Sequence, residues 1–113
     1  MEDTSVRHLT FSEAVLCRPK MYTIEGTFGE VVSFLEGYYS GMAKADAKAL
    51  PVSEWEAFQQ WLAGYLNVDS AEVFTTILQT CADSQAALTK LSDLLKEFLR
   101  TKREAQSENN FTQ

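Results

Sequence analysis

The sequence predicts an all-α fold, a compact bundle of four principal helices preceded by a short N-terminal one. Three observations point there. Apolar residues recur at three- and four-residue spacing along most of the chain, which puts them on one face of a helix instead of alternating between the two faces of a strand. A capping residue precedes a glutamate by three positions at Thr10 and Glu13, Thr27 and Glu30, Ser53 and Glu56, and Asp69 and Glu72. In that arrangement each side chain satisfies a backbone donor left open by the first helical turn. With five glycines and two prolines in 113 residues, long stretches are free of helix breakers.

The first helix is expected from about Phe11 to Leu16 and must stop before Pro19, which has no N–H to donate and restricts the residue ahead of it. The run Arg18-Pro19-Lys20-Met21-Tyr22 then reads as a rigid turn with Tyr22 packed inward, a short strand over Met21 to Ile24 being the alternative. Behind Thr27, the residues Phe28, Val31, Val32, Leu35, Tyr39 and Met42 share one face, which predicts a helix to about Lys44. Trp55, Phe58, Leu62, Tyr65 and Leu66 repeat the pattern after Ser53, as do Val73, Phe74, Ile77, Leu78 and Cys81 after Asp69. Asp83 offers a plain cap for the longest helix, which carries Leu88, Leu91, Leu94, Leu95, Phe98 and Leu99. Residues 1–100 are therefore read as one helical domain with short connections and antiparallel neighbours. Residues 101–113, almost wholly polar, are expected to form a frayed tail.

Sixteen acidic residues against ten basic ones leave a net charge of −6, which argues against nucleic acid as a partner because phosphate binding needs a cationic surface. From Ala49 to Thr89 there is no Lys or Arg, while Glu54, Glu56, Asp69, Glu72 and Asp83 all fall there. Positive charge returns at Lys90, Lys96, Arg100, Lys102 and Arg103, toward a helix end where the macrodipole favours cations. No apolar run approaches the roughly 20 residues that span a bilayer. The acidic, polar opening Met1 to Ser5 lacks the basic start and apolar stretch of a secretory signal, so a cytoplasmic location and no membrane partner are expected. Cys17 and Cys81 show neither zinc-ligand nor Cys-x-x-Cys spacing and read as two free thiols packed as small hydrophobes.

Catalysis finds little to work with. His8 is the one histidine and has no carboxylate or thiol at a telling spacing, so a Ser/His/Asp or Cys/His arrangement would have to be built around it alone. Glu54 and Glu56, two apart on a helix, point in different directions, and Asp69 with Glu72 is explained as a capping pair. No catalytic residue, metal site or cofactor is expected, and the chain reads as a binder. Glu13-Ala14-Val15 followed by Arg18-Pro19-Lys20-Met21-Tyr22 resembles the opening of the ATPase domain of gyrase-type topoisomerases. That family also needs a glutamate base, a magnesium-binding asparagine on the next helix, and glycine-rich loops. Here the next helix has Glu30 and Glu36 but no asparagine, and the glycine-rich loops are missing, so ATP binding is rejected.

Several aromatic residues fall outside the helical stripes. Phe34 and Tyr38 lie to one side of the stripe on the second helix, Trp61 is displaced in the same way on the third, and Tyr65 sits at its margin. Such rings either pack against neighbouring helices or form an exposed cluster rimmed by Glu36, Glu54 and Glu56. In the second case Phe34, Glu36, Tyr38, Glu54, Glu56, Trp61 and Tyr65 are the partner-binding residues, the rings supplying energy and the charges orientation and speed.

With its all-helical pattern the chain resembles the small helical immunity proteins of bacterial polymorphic-toxin and contact-dependent inhibition systems. It is also similar to a set of bacterial proteins with an Arg-Pro-x-Met-Tyr turn. Arg18, Pro19, Met21, Tyr22, the run Phe34-Leu35-Glu36-Gly37-Tyr38, Trp55 with Phe58, and Trp61-Leu62 carry that second likeness. The immunity resemblance implies a cytoplasmic protein that binds one cognate toxin, typically a basic nuclease, and covers its active site. The alternative is a structural or adaptor module whose extra aromatics form the seam of a symmetric homodimer. A small-molecule-binding helical domain comes third.

Overall fold

The computed structural model describes the backbone of residues 10–112 and the side chains of residues 11–104, so His8 lies outside the described residues. Among the described residues five helices follow one another: α1 (Thr10–Cys17), α2 (Phe28–Ala45), α3 (Leu50–Leu66), α4 (Val73–Thr80) and α5 (Ser84–Thr112). Short 3-10 turns stand at Pro19–Met21 and Ser70–Glu72, and there is no strand among the described residues, Met21 to Ile24 included. The all-α expectation holds, but the division into four principal helices and one short helix does not. The fourth helix, at 8 residues, is as short as the first.

The reason lies in the caps. Thr27 and Glu30 form the expected reciprocal pair, with the Glu30 N–H donating to Thr27 Oγ1 at 3.3 Å and the Thr27 N–H donating to Glu30 Oε1 at 3.4 Å. Asp83 also caps as expected, accepting from the Ala86 N–H at 2.8 Å. Ser53 does not cap, because α3 begins a turn earlier, behind Ala49, with Pro51 in its first turn. A proline is tolerated there since its missing N–H would have had no helical partner. Asp69 precedes a 3-10 turn without a side-chain cap, so α4 starts only at Val73. The side chain of Thr10, the first expected cap, lies outside the described residues.

α5 packs against all four other helices. Its Ala87, Leu88, Leu91, Leu94, Leu95, Phe98 and Leu99 are buried. They meet Phe28, Val31, Val32, Leu35 and Tyr39 of α2, Trp55, Phe58 and Leu62 of α3, Val73 and Ile77 of α4, and Val15 and Leu16 of α1. α3 runs antiparallel to α2, with Tyr39 stacked on Trp55 at 4.8 Å, and antiparallel to α5, with Phe58 5.4 Å from Phe98. Two hydrogen bonds tie the remaining ends. The Ser84 hydroxyl at the start of α5 accepts the first N–H of α2, from Phe28, which would otherwise have no helical partner. Ser12 of α1 and the Tyr39 hydroxyl meet at 2.7 Å in the interior. Burial pushes the Tyr39 phenol pKa up, and the Ser12 bond partly opposes that shift.

Between α1 and α2 the chain is locked by its own polar groups. Thr23 Oγ1 donates to the Pro19 carbonyl at 3.0 Å and accepts from the Gly26 N–H at 2.9 Å, while the Glu25 N–H donates to Glu30 Oε1 at 2.9 Å. Gly26 has φ +70, and a Cβ there would stand 2.9 Å from Lys20 Cγ. Glycine is therefore required on both counts. The segment 101–113, expected to fray, is helical through Thr112. Its first turn is braced by Arg100, which pairs with Glu97 one turn back and with Glu104 one turn ahead at 2.7 Å.

Two outcomes follow for urea unfolding. Thr27→Ala should cost about 1 kcal/mol, whereas Ser53→Ala, exposed and inside α3, should fall within about 0.5 kcal/mol of wild type. The Glu25 N–H, followed by those of Thr27 and Gly26, holds the Glu30 carboxyl below its usual range. A lowered folded pKa adds stability above the unfolded value and loses it as pH falls through the folded one. The stability gap between wild type and Glu30→Gln should therefore be full near neutrality and close below about pH 4. A gap constant with pH would assign the whole effect of Glu30 to its neutral hydrogen bonds.

Candidate partner-binding site

The structure separates the candidate residues into three places, because the flanks of α2 and α3 face different neighbours. At about 100° per residue Glu54 and Glu56 lie about 160° apart around α3, the shorter way, so one faces α5 and the other faces α2.

The first place is the junction of α1 and α2. Phe34 is half-buried, 6.1 Å from Phe11 and 6.0 Å from Tyr22, and Tyr38 lies 4.5 Å from Phe11 with 39% of its surface exposed. Phe11, Tyr22 and Phe34 pack on one another and against the core. Tyr22 is accordingly half-buried by aromatic neighbours at the edge of the core.

The second place is the α3–α5 seam, with Glu54, Trp61 and Tyr65. Trp61 is half-buried against Phe58 and Phe98, while Tyr65 stacks on it at 5.4 Å and is 57% exposed. Trp61 thus contributes to the core as well as to the surface, and its truncation would weaken the fold along with any complex. Glu54 corrects the expectation most sharply. It does not rim a surface cluster but is only 6% exposed, with Oε1 3.0 Å from Lys102 Nζ. Its other oxygen is buried and has no hydrogen-bond partner. Nor does it stand at a helix start, since α3 begins at Leu50. Lys102 also lies over the Phe98 ring, 6.0 Å from its centre.

The third place is a groove between α2 and α3, and it brings Glu36 and Glu56 together. Glu36, Tyr39, Ser40 and Ala43 line it from α2, and Val52, Trp55, Glu56 and Gln59 from α3. Both glutamates are exposed, the rings beneath them are buried, and no Lys or Arg lines the groove. Chemically it is a negatively charged depression over an aromatic floor. Around α3 and α4 the exposed charges Glu56, Asp69 and Glu72 are all acidic.

A fourth surface escaped the sequence reading. Met21 is 68% and Ile24 91% exposed, beside the exposed Arg18 and Lys20, on the turn that Thr23 and Gly26 hold. Apolar residues in so short a turn have no periodicity from which exposure could be foretold. Cys17, expected inside, is exposed, whereas Cys81 is partly buried against the core.

Among the described residues no group of three or more His, Cys, Asp or Glu side chains is placed to hold a metal ion, and no helix is long and apolar enough to cross a membrane. The chain matches no protein-family model, and no curated protein or solved structure is detectably similar to it.

Breaking the buried pair from one side should be costly. Lys102→Met strands a buried carboxylate and should destabilise by about 2 kcal/mol in urea unfolding, the partial exposure of the lysine moderating the loss. Glu54→Gln in the same background should recover most of that loss. Equal stability of wild type and Lys102→Met would show that the Glu54 carboxylate finds water instead.

Proposed function

We propose that this chain is an immunity protein that binds a basic bacterial toxin in the cytoplasm and neutralises it by covering its active site. The groove between α2 and α3 supports this reading above all, since it joins two uncompensated carboxylates to buried aromatic rings on a rigid helical hairpin. A fixed negative field of this kind steers a cationic partner and raises its association rate. A toxin that cleaves nucleic acid presents a basic cleft where the phosphates lie, and an acidic surface can occupy it in their place. Asp69 and Glu72, exposed between α3 and α4, carry the same sign of charge. A standard interface of about 1,600 Å² would need α2, α3 and the turn before α4 together.

The homodimer reading draws on a different surface. Tyr65 and Leu50 are both exposed, near the two ends of α3, and a symmetric seam between two copies of the chain would cover them.

The proposal expects a toxin domain to be encoded directly beside this chain, and calorimetry and stopped-flow association against that domain test it. Wild type should bind with one-to-one stoichiometry and suppress toxin activity. Glu56→Lys should slow association, most clearly at low salt, with an unchanged melting temperature. An association rate indifferent to both Glu56→Lys and ionic strength would contradict the acidic-surface reading. A stable dimer dissociated by Tyr65→Ala, with no binding to the toxin domain, would favour the structural module.

A further inference from the structure

Resting on the α2–α3 groove as the face that meets the partner, we infer that this groove is an anchor site for one arginine side chain of that partner. Its size sets the first limit. The cavity is about 160 Å³, well below the roughly 300–1,000 Å³ of a typical small-molecule site. It has room for one long side chain, not for a helix.

Its chemistry then selects the side chain. The floor is the Tyr39–Trp55 stack, with the rings 16° from parallel, and Ala43 and Val52 add apolar wall. Above this floor stand acceptors from both helices, the Glu36 carboxylate and Ser40 hydroxyl on one side and the Glu56 carboxylate and Gln59 amide oxygen on the other. An apolar side chain would cover the rings but desolvate two carboxylates without partners. An ammonium would meet the charge at a single point. A guanidinium is planar, weakly hydrated and carries five donors in a rigid fork, so it can span acceptors on both walls while its apolar stem lies against Ala43, Val52 and the margins of the buried rings.

The other surfaces lack this combination. At the α3–α5 seam Lys102 already neutralises Glu54, at the α1–α2 junction the rings pack on each other, and the Arg18–Met21 turn carries the sign of charge expected of the partner.

The test is an NMR titration of the labelled full-length chain with Nα-acetyl-arginine amide, using the neutral citrulline analogue and the lysine analogue as controls. Trp55 and Trp61 are the two tryptophans, so their indole N–H resonances supply a probe and an internal control. Arginine should shift the Trp55 indole and the Gln59 side-chain amide saturably, with an affinity in the millimolar range, and leave Trp61 unmoved. Lysine should bind more weakly and citrulline not at all, and a Glu36→Gln, Glu56→Gln double variant should lose at least about fivefold in affinity. No movement at Trp55, a response to citrulline or lysine as strong as to arginine, or an undiminished response in the double variant would overturn the anchor site. Should arginine fail while the toxin domain still binds, the immunity reading survives without this pocket. Should arginine bind at Trp55 while no basic toxin is recognised, the pocket survives without that reading.

Discussion

The burial of α5 between the other four helices is the constraint on which the rest of this structure depends. A helix that meets neighbours on several sides needs an apolar surface wider than a single stripe, and the run Ala87-Leu88, Leu91, Leu94-Leu95, Phe98-Leu99 supplies it. α2 and α3 can then pack as an antiparallel hairpin whose inner faces both lean on α5, while α1 and α4, too short to be stable alone, are held as covers over its sides. The few polar groups carried inside are those that fasten one helix to another. The Ser12 hydroxyl joins α1 to Tyr39, and the Ser84 hydroxyl joins the starts of α2 and α5.

The same packing decides what the surface can do. Once the inner face of α3 is committed to α2 and α5, its two flanks become separate environments, and carboxylates two residues apart acquire opposite roles. Glu54 turns toward α5 and is buried against Lys102, fastening the polar extension of that helix to the body. Glu56 turns toward α2 and stays in water beside Glu36. Pairing with a cation removes Glu54 from any external electrostatic role, whereas Glu36 and Glu56 face no basic neighbour in their groove and keep their field. Two carboxylates thus meet in water where α2 and α3 part, and the aromatic residues beneath them, Tyr39 and Trp55, are buried core residues.

Much of the fold was legible because it rests on periodicity. The stripes on α2 and α5 predicted their buried residues, and Thr27 with Glu30 marked the start of α2. Capping pairs read elsewhere were less dependable, since a serine three residues before a glutamate also occurs inside a helix. At Ser53 the decisive signal was Pro51, which fits a first turn and moves the start back to Leu50. The division of the binding residues was not legible. Periodicity places a side chain on a flank of its helix but does not say which neighbour that flank meets, and the distinction between Glu54 and Glu56 depends wholly on that neighbour. The pairing of Glu54 with Lys102 joins residues far apart in the chain, and no local pattern announces it. The exposed Met21 and Ile24 were likewise invisible, because their turn is shaped by hydrogen bonds of Thr23 and Gly26 and not by apolar spacing.

Carboxyl-group footprinting of the chain, free and mixed with the basic toxin proposed as its partner, examines the central claim most directly, because it reads each glutamate and aspartate separately by mass spectrometry. If the groove between α2 and α3 is the contact, Glu36 and Glu56 label readily in the free protein and are strongly protected in the complex. Glu54, already buried against Lys102, should label poorly in both states. Protection confined to other carboxylates, with Glu36 and Glu56 equally reactive in the free and bound states, would contradict it.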